Sequence, residues 1–116
     1  MRIVSGKFRS RIINAPEGLN TRPSSDKTRE SIFNIIAPYV YDANVLDIFA
    51  GSGALGLEAI SRGASHATFI DLDDKAIKCI KSNIEILKGD TSKEKTLLIK
   101  VLDKDKRSNI VSNLTK

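Results

Sequence analysis

The chain has one cysteine, Cys79, and one histidine, His66. A lone cysteine excludes a disulfide framework and a cysteine-rich metal site. A lone histidine gives a zinc site or a Ser-His-Asp hydrolase almost nothing to build on. The three prolines, Pro16, Pro23 and Pro38, are never adjacent and all precede the middle of the chain. No apolar run approaches membrane-spanning length, and the opening MRIVSGKFRSR has no signal-peptide hydrophobic region. The expectation from these absences is a reduced, metal-free, cytoplasmic protein without membrane contact. What is present is 116 residues, 41% of them hydrophobic. That is enough for one small core and too much for a disordered chain.

The net charge of +5 is unevenly spread. Residues 1–30 carry seven Arg/Lys against three acids, residues 31–73 carry one against five, and residues 74–116 are again basic. A basic arm ahead of an acidic middle fits a polyanionic substrate such as RNA or DNA, and equally fits a solvated basic surface.

Met1–Ile13 alternates apolar residues with Arg2, Lys7, Arg9 and Arg11 around a Ser5-Gly6 turn, which predicts a short β-hairpin with one basic face. Thr21 to Asp26 reads as a helix start, with hydroxyl caps and a first-turn acid. The helix is expected to run to about Ile36, bury Ile32, Phe33 and Ile36, and stop at Pro38. Further elements are a strand over Val45–Phe49, a helix over Ala54–Arg62 with Leu55 mostly inward and Glu58 outward, and a strand over Ala67–Ile70. A helix over Asp74–Leu87, a polar loop over Lys88–Lys95, a strand over Thr96–Val101 and a last helical turn over Ser108–Leu114 complete the reading. In the third helix Lys75, Lys78 and Lys81 face outward, Cys79 is a reduced structural residue, and Asp73 and Asp74 are first-turn acids. Strands alternating with helices imply a parallel α/β sheet, whose ligand sits at the carboxyl ends of the strands. The expected division is residues 1–40 as a basic hairpin and helix extension and 41–116 as a partial cofactor-binding domain.

The most informative run is VLDIFAGSGALGLEAISRGA, from Val45 to Ala64. A short apolar strand enters Gly51-Ser52-Gly53 and then a helix. Glycines admit a ligand close to the backbone, and a new helix offers its free N–H groups. Asp47 interrupts the strand with a charge that is costly to bury unpartnered. It would repel the pyrophosphate of a dinucleotide but suits S-adenosylmethionine (SAM), which has no phosphate and carries an ammonium group. Gly51-x-Gly53-x-x-Gly56 also satisfies the dinucleotide pattern, with Asp71 about where the ribose-binding acid belongs, so an NAD-binding oxidoreductase fragment is an alternative. So is a generic turn in which Asp47 merely caps loop amides.

RIVSGKFRSR, GLNTRPSSDKTRESIFNII and VLDIFAGSGALGLEAISRGA with ATFIDLD together span about residues 2–87. On these segments the chain resembles the bacterial 16S rRNA guanine-N2 methyltransferases. The resemblance implies an incomplete Rossmann-like SAM-dependent methyltransferase sheet, its first three parallel strands preceded by the basic hairpin and a helix. It places Asp47 near the methionine end of SAM, two residues ahead of the Phe49-Ala50-Gly51-Ser52-Gly53 motif whose glycines cradle the cofactor. Asp71 would bind the ribose, Asp103 the adenine amine, and Thr21-Arg22-Pro23 would close over the ligand. Arg2, Lys7, Arg9 and Arg11 would contact phosphates of 16S rRNA or an assembling small subunit. The family's chemistry is done by an Asn/Asp-Pro-Pro-Tyr/Phe loop, and this chain has no adjacent prolines. The catalytic residues are therefore unknown. The expectation is the N-terminal half of a methyltransferase, or else an inactive SAM- or RNA-binding remnant. Its first strand would keep an unpaired edge open to self-association.

Overall fold

The computed structural model describes residues 1–15, 25–48, 50–89 and 99–101. Six elements follow one another: α1 (Asp26–Val40), β1 (Asn44–Ile48), α2 (Ala54–Ser61), β2 (His66–Ile70), α3 (Asp74–Gly89) and β3 (Ile99–Val101). The strands form one parallel sheet in the order β1-β2-β3, with Asn44 opposite His66 and Ile48 opposite Ile70. Among the described residues β1 thus lies at an edge. The Ser108–Leu114 turn and most of the Lys88–Lys95 loop lie outside the described residues, as does Phe49, expected as the last residue of β1.

The sheet and the second and third helices form where their periodicity places them. α2 and α3 meet over Phe69, with Leu57, Ile60, Ile77, Ile80 and Ile84 buried in one cluster. Asp73 stands just before α3, where its carboxylate accepts from the Lys75 N–H at 2.9 Å as a cap rather than from within the first turn. Lys75, Lys78 and Lys81 are exposed as expected, and Cys79 is a free, buried thiol.

α1 departs from the expectation at both its end and its face. Ser25 caps it, accepting from the Thr28 N–H at 3.0 Å, but the helix continues through Pro38 to Val40. Proline gives up the bond to the carbonyl four residues back and crowds that carbonyl with its ring, and Val40, buried against Phe33 and Ala59, holds the last turn in place. The buried face is Arg29, Phe33 and Val40 rather than Ile32, Phe33 and Ile36, which leaves Ile32 and Ile36 more than a third exposed. Leu55 on α2 is likewise exposed, because it turns toward the open edge of β1 instead of toward α3.

The expected β-hairpin is reduced to one antiparallel bridge, Arg2 with Ile12, around a tight loop. Three backbone bonds accompany it, the Ile3 and Ile13 N–H groups donating to the Arg11 and Met1 carbonyls at 2.9 Å each and the Ser10 N–H to the Ile3 carbonyl at 2.8 Å, while the loop between the arms is bonded to α2. The N–H groups of Val4 and Ser5 donate to Glu58 at 2.8 and 3.1 Å, and those of Lys7 and Phe8 donate to the carbonyl and Oγ of Ser61 at 2.8 and 2.9 Å. Ile3, Phe8 and Ile13 sink into the cluster under α2 and α3. Arg2, Lys7, Arg9 and Arg11 all remain exposed on the outer side of this loop.

Glu58, expected on the surface, is wholly buried. α2 is covered on that side by the N-terminal loop and α1, so its fifth residue has no route to water. A buried carboxylate requires partners. Besides the two backbone donors, Arg62 Nε lies 2.9 Å and the buried Arg29 Nε 3.8 Å from its oxygens. Arg29 also donates to the Arg2 carbonyl at 2.6 Å and contacts the Asp26 carboxylate.

Candidate functional site

Between β1 and α2 the backbone turns through Ala50-Gly51-Ser52-Gly53, and the Gly53 N–H closes the turn on the Ala50 carbonyl at 2.8 Å. Gly51 and Gly53 take φ of 60° and 81°, the left-handed region that costs other residues about 1–2 kcal/mol. Gly53 is the N-cap of α2. Around Gly51 there is open space, whereas a Cβ at Gly53 would press on Phe69 and Ile80. The loop therefore opens to a ligand on the Gly51 side and rests on the core on the Gly53 side.

Two carboxylates flank this turn from adjacent strands. Asp47, in β1, is buried and accepts from the Gly56 N–H in the first turn of α2 at 3.1 Å. Asp71 follows β2 directly. Its Oδ2 accepts from the Gly51 N–H at 2.9 Å, and its Oδ1 accepts from the Asp73 N–H at 2.8 Å. Burial pushes the Asp47 carboxyl up to about 6, opposed by the Gly56 N–H and reinforced by the negative charge of Asp71. Ser52 is also buried, with its Oγ accepting from the Ala54 N–H at 3.2 Å. The fold thus gathers five of the expected cofactor residues, Asp47, Gly51, Ser52, Gly53 and Asp71, at the carboxyl ends of β1 and β2. Thr21, Arg22, Phe49 and Asp103 lie outside the described residues.

Asp47 bonds an amide of α2, Gly56, and not the loop amides that one alternative gave it; the Gly51 amide of the loop is bonded by Asp71. The elevated carboxyl of Asp47 also marks a place where a positive ligand group would be welcome, since ionising it unaided is costly. Asp71 adds a second acid on the open side of the loop. Such a site disfavours a diphosphate and favours a ligand that presents a cation and hydroxyls.

Asn83 and Glu58, which hold the N-terminal loop to the glycine turn and to α2, were not anticipated as functional supports. Glu58 had a usable signal, an acid amid the apolar run ALGLEAIS. Asn83 had none, because an asparagine at a helical position is compatible with either face.

A parallel sheet with a glycine turn after its first strand and acids at its strand ends is the cofactor half of a Rossmann-like α/β domain of methyltransferase type. Comparison with known proteins agrees. Residues 1–113 match the family described as Conserved hypothetical protein 95, and the chain belongs to that family. It is 52% identical over 87 residues to YlbH of Bacillus subtilis, named a candidate rRNA methyltransferase, covering 75% of this chain and 47% of that one. It is 45% identical over 89 residues to the ribosomal RNA small subunit methyltransferase D of Escherichia coli, covering 77% and 45%. A solved structure from Escherichia coli, yhhF, a candidate methyltransferase, superposes with a TM-score of 0.72 at 38% identity, over 88% of this chain and 51% of that one. The chain spans about half the length of the curated relatives it matches.

Proposed function

We propose that the chain is the cofactor-binding portion of a SAM-dependent methyltransferase acting on the exocyclic amine of a guanine in small-subunit rRNA, in the cytoplasm. The observation that carries this reading is the pair of acids, Asp47 and Asp71, bonded to the amides on either side of one glycine turn. Asp47 faces the ammonium end of SAM and Asp71 its ribose hydroxyls. Gly51 leaves room for the ligand, and Phe49, Ser52, Thr21, Arg22 and Asp103 complete the set by resemblance. SAM supplies an activated methyl group. The residues of this chain bind and orient it, and transfer is favoured mainly by positioning. Arg2, Lys7, Arg9 and Arg11, exposed on one loop, contact rRNA phosphates. The relatives named as rRNA methyltransferases support the same substrate class.

Titration calorimetry with SAM and with NADH tests the cofactor. SAM alone is expected to bind, and NADH binding without SAM binding would overturn the proposal. Retention of 16S rRNA on the immobilised chain, reduced in the Arg9→Ala, Arg11→Ala variant, tests the substrate class. Self-association through the β1 edge is part of the same proposal.

A further inference from the structure

Asn83 is fully buried in α3, and neither the cofactor reading nor the RNA reading uses it. Its carboxamide is completely engaged. Nδ2 donates to the Ser52 carbonyl in the glycine turn and to the Asn14 carbonyl, both at 2.9 Å, while Oδ1 accepts from the Asn14 backbone N–H at 2.8 Å. The Cys79 thiol, one turn earlier, adds a 3.2 Å contact to the same Asn14 carbonyl. A second contact joins the same regions from the other end of the loop, with Ser52 Oγ 4.0 Å from Met1 Sδ. The segment carrying Arg2, Lys7, Arg9 and Arg11 therefore reaches Ser52 of the glycine turn directly from its Met1 end and through Asn83 from its Asn14 end.

Only a carboxamide donates twice and accepts once within one plane. Here it ties a backbone N–H and two backbone carbonyls from separate segments into one register. If either segment shifts, a buried polar group loses its partner, which is costly. A reseating of the basic loop is thereby transmitted to the Ser52 carbonyl, next to Gly51 on the open side of the turn.

We propose that Asn83 is a positioning residue that couples the two binding surfaces, so that RNA on the basic loop and SAM on the glycine turn strengthen each other's binding. This rests on the function proposed above. Coupling of this kind is reciprocal: each ligand must change the other's affinity by the same factor.

The test measures the Kd of purified bacterial 16S rRNA with and without SAM, and the Kd of SAM with and without that RNA. It compares the wild-type chain, Asn83→Leu, Asn83→Ser and, as a control for destabilising α3, Ile84→Ala. In the wild type both factors are expected to agree at roughly fivefold or more. In the Asn83 variants the factor falls below about twofold, while Ile84→Ala keeps it. Should Asn83→Leu fail to fold, Asn83→Ser, which leaves space for water and puts one hydroxyl in place of the carboxamide, decides. Two results overturn the coupling and leave the methyltransferase reading standing. One is a factor of one in the wild type although both ligands bind. The other is an Asn83 variant that melts earlier and binds both ligands more weakly with the factor intact. A wild type that does not bind SAM at all overturns both.

Discussion

Asp47 sets the balance between stability and ligand binding at a single position. Its carboxyl titrates near 6 in the folded chain, against 3.8 as the ordinary value. A carboxyl with a raised folded pKa holds its proton more tightly when folded. Its contribution to stability is therefore complete below about pH 4 and lost as the pH rises through about 6. The difference of about two units corresponds to roughly 3 kcal/mol. Asp47→Asn keeps an acceptor for the Gly56 N–H and removes the charge, so at pH 7 it is expected to raise the urea midpoint of the unliganded chain. The same substitution should weaken SAM binding. In the wild type, SAM affinity should rise by up to about tenfold per pH unit below pH 6 and then level off, with proton release visible by calorimetry in buffers of differing ionisation heat. A pH-independent affinity would remove Asp47 from the cofactor site. Gly56 makes a contrasting case. A Cβ there would strike the Phe69 ring, so Gly56→Ala is expected to cost about 1–3 kcal/mol in a urea melt at any pH.

At the scale of elements, α2 organises the molecule. Its first turn caps onto Asp47, its middle holds Glu58, and its end binds the N-terminal loop through Ser61. Glu58→Gln leaves Arg29 and Arg62 facing a neutral group in the interior. The expected loss is about 3–5 kcal/mol, the cost of breaking a buried pair. Amide hydrogen exchange should locate it, with protection lost first at Val4, Ser5 and Phe8 and retained longer in β2. Uniform loss across the chain would show that Glu58 supports the whole core and not this loop. The elements themselves were largely legible. α3 could be read from Ile77, Ile80, Ile84 and Leu87 at helical spacing, and β1 and β2 from short apolar runs. What could not be read was which stripe of α1 faces inward. Its apolar residues surround the helix, and the choice fell to the buried Arg29, drawn in by Glu58 on another element. The N-terminal hairpin closes across its own arms as its alternation predicts, and only its seating on α2 through Val4, Ser5, Lys7 and Phe8 depended on another element.

On the scale of the whole molecule, β1 is a sheet edge beside a largely apolar groove of about 330 Å³ lined by α1, β1 and α2, among them Ile32, Ile36, Tyr39, Leu46 and Leu55. From Ser31 to Tyr41 the sequence carries no charge, and Ile35, Tyr39 and Tyr41 are each more than three quarters exposed. An apolar face of this kind, beside a strand with one open side among the described residues, favours association. The sedimentation coefficient is expected to rise with concentration, and the double variant Ile35→Lys, Tyr39→Glu to sediment as a monomer. Concentration-independent sedimentation of the wild type would remove the expectation. The basic loop supplies a separate whole-molecule property. Affinity for 16S rRNA should fall steeply with salt, and the double variant Arg9→Ala, Arg11→Ala should flatten the slope by about two.

The sequence by itself determined the strand, glycine turn and helix, and the placing of acids at the ends of β1 and β2. These are local properties: apolar spacing, residues that permit a left-handed turn, and a charge in an apolar run. The tertiary structure alone decided that Glu58 is interior, that Arg29 defines the inner face of α1, and that Asn83 joins the N-terminal loop to the glycine turn. Each depends on partners distant in the chain, since a buried polar group is stable only where other segments bring it donors and acceptors.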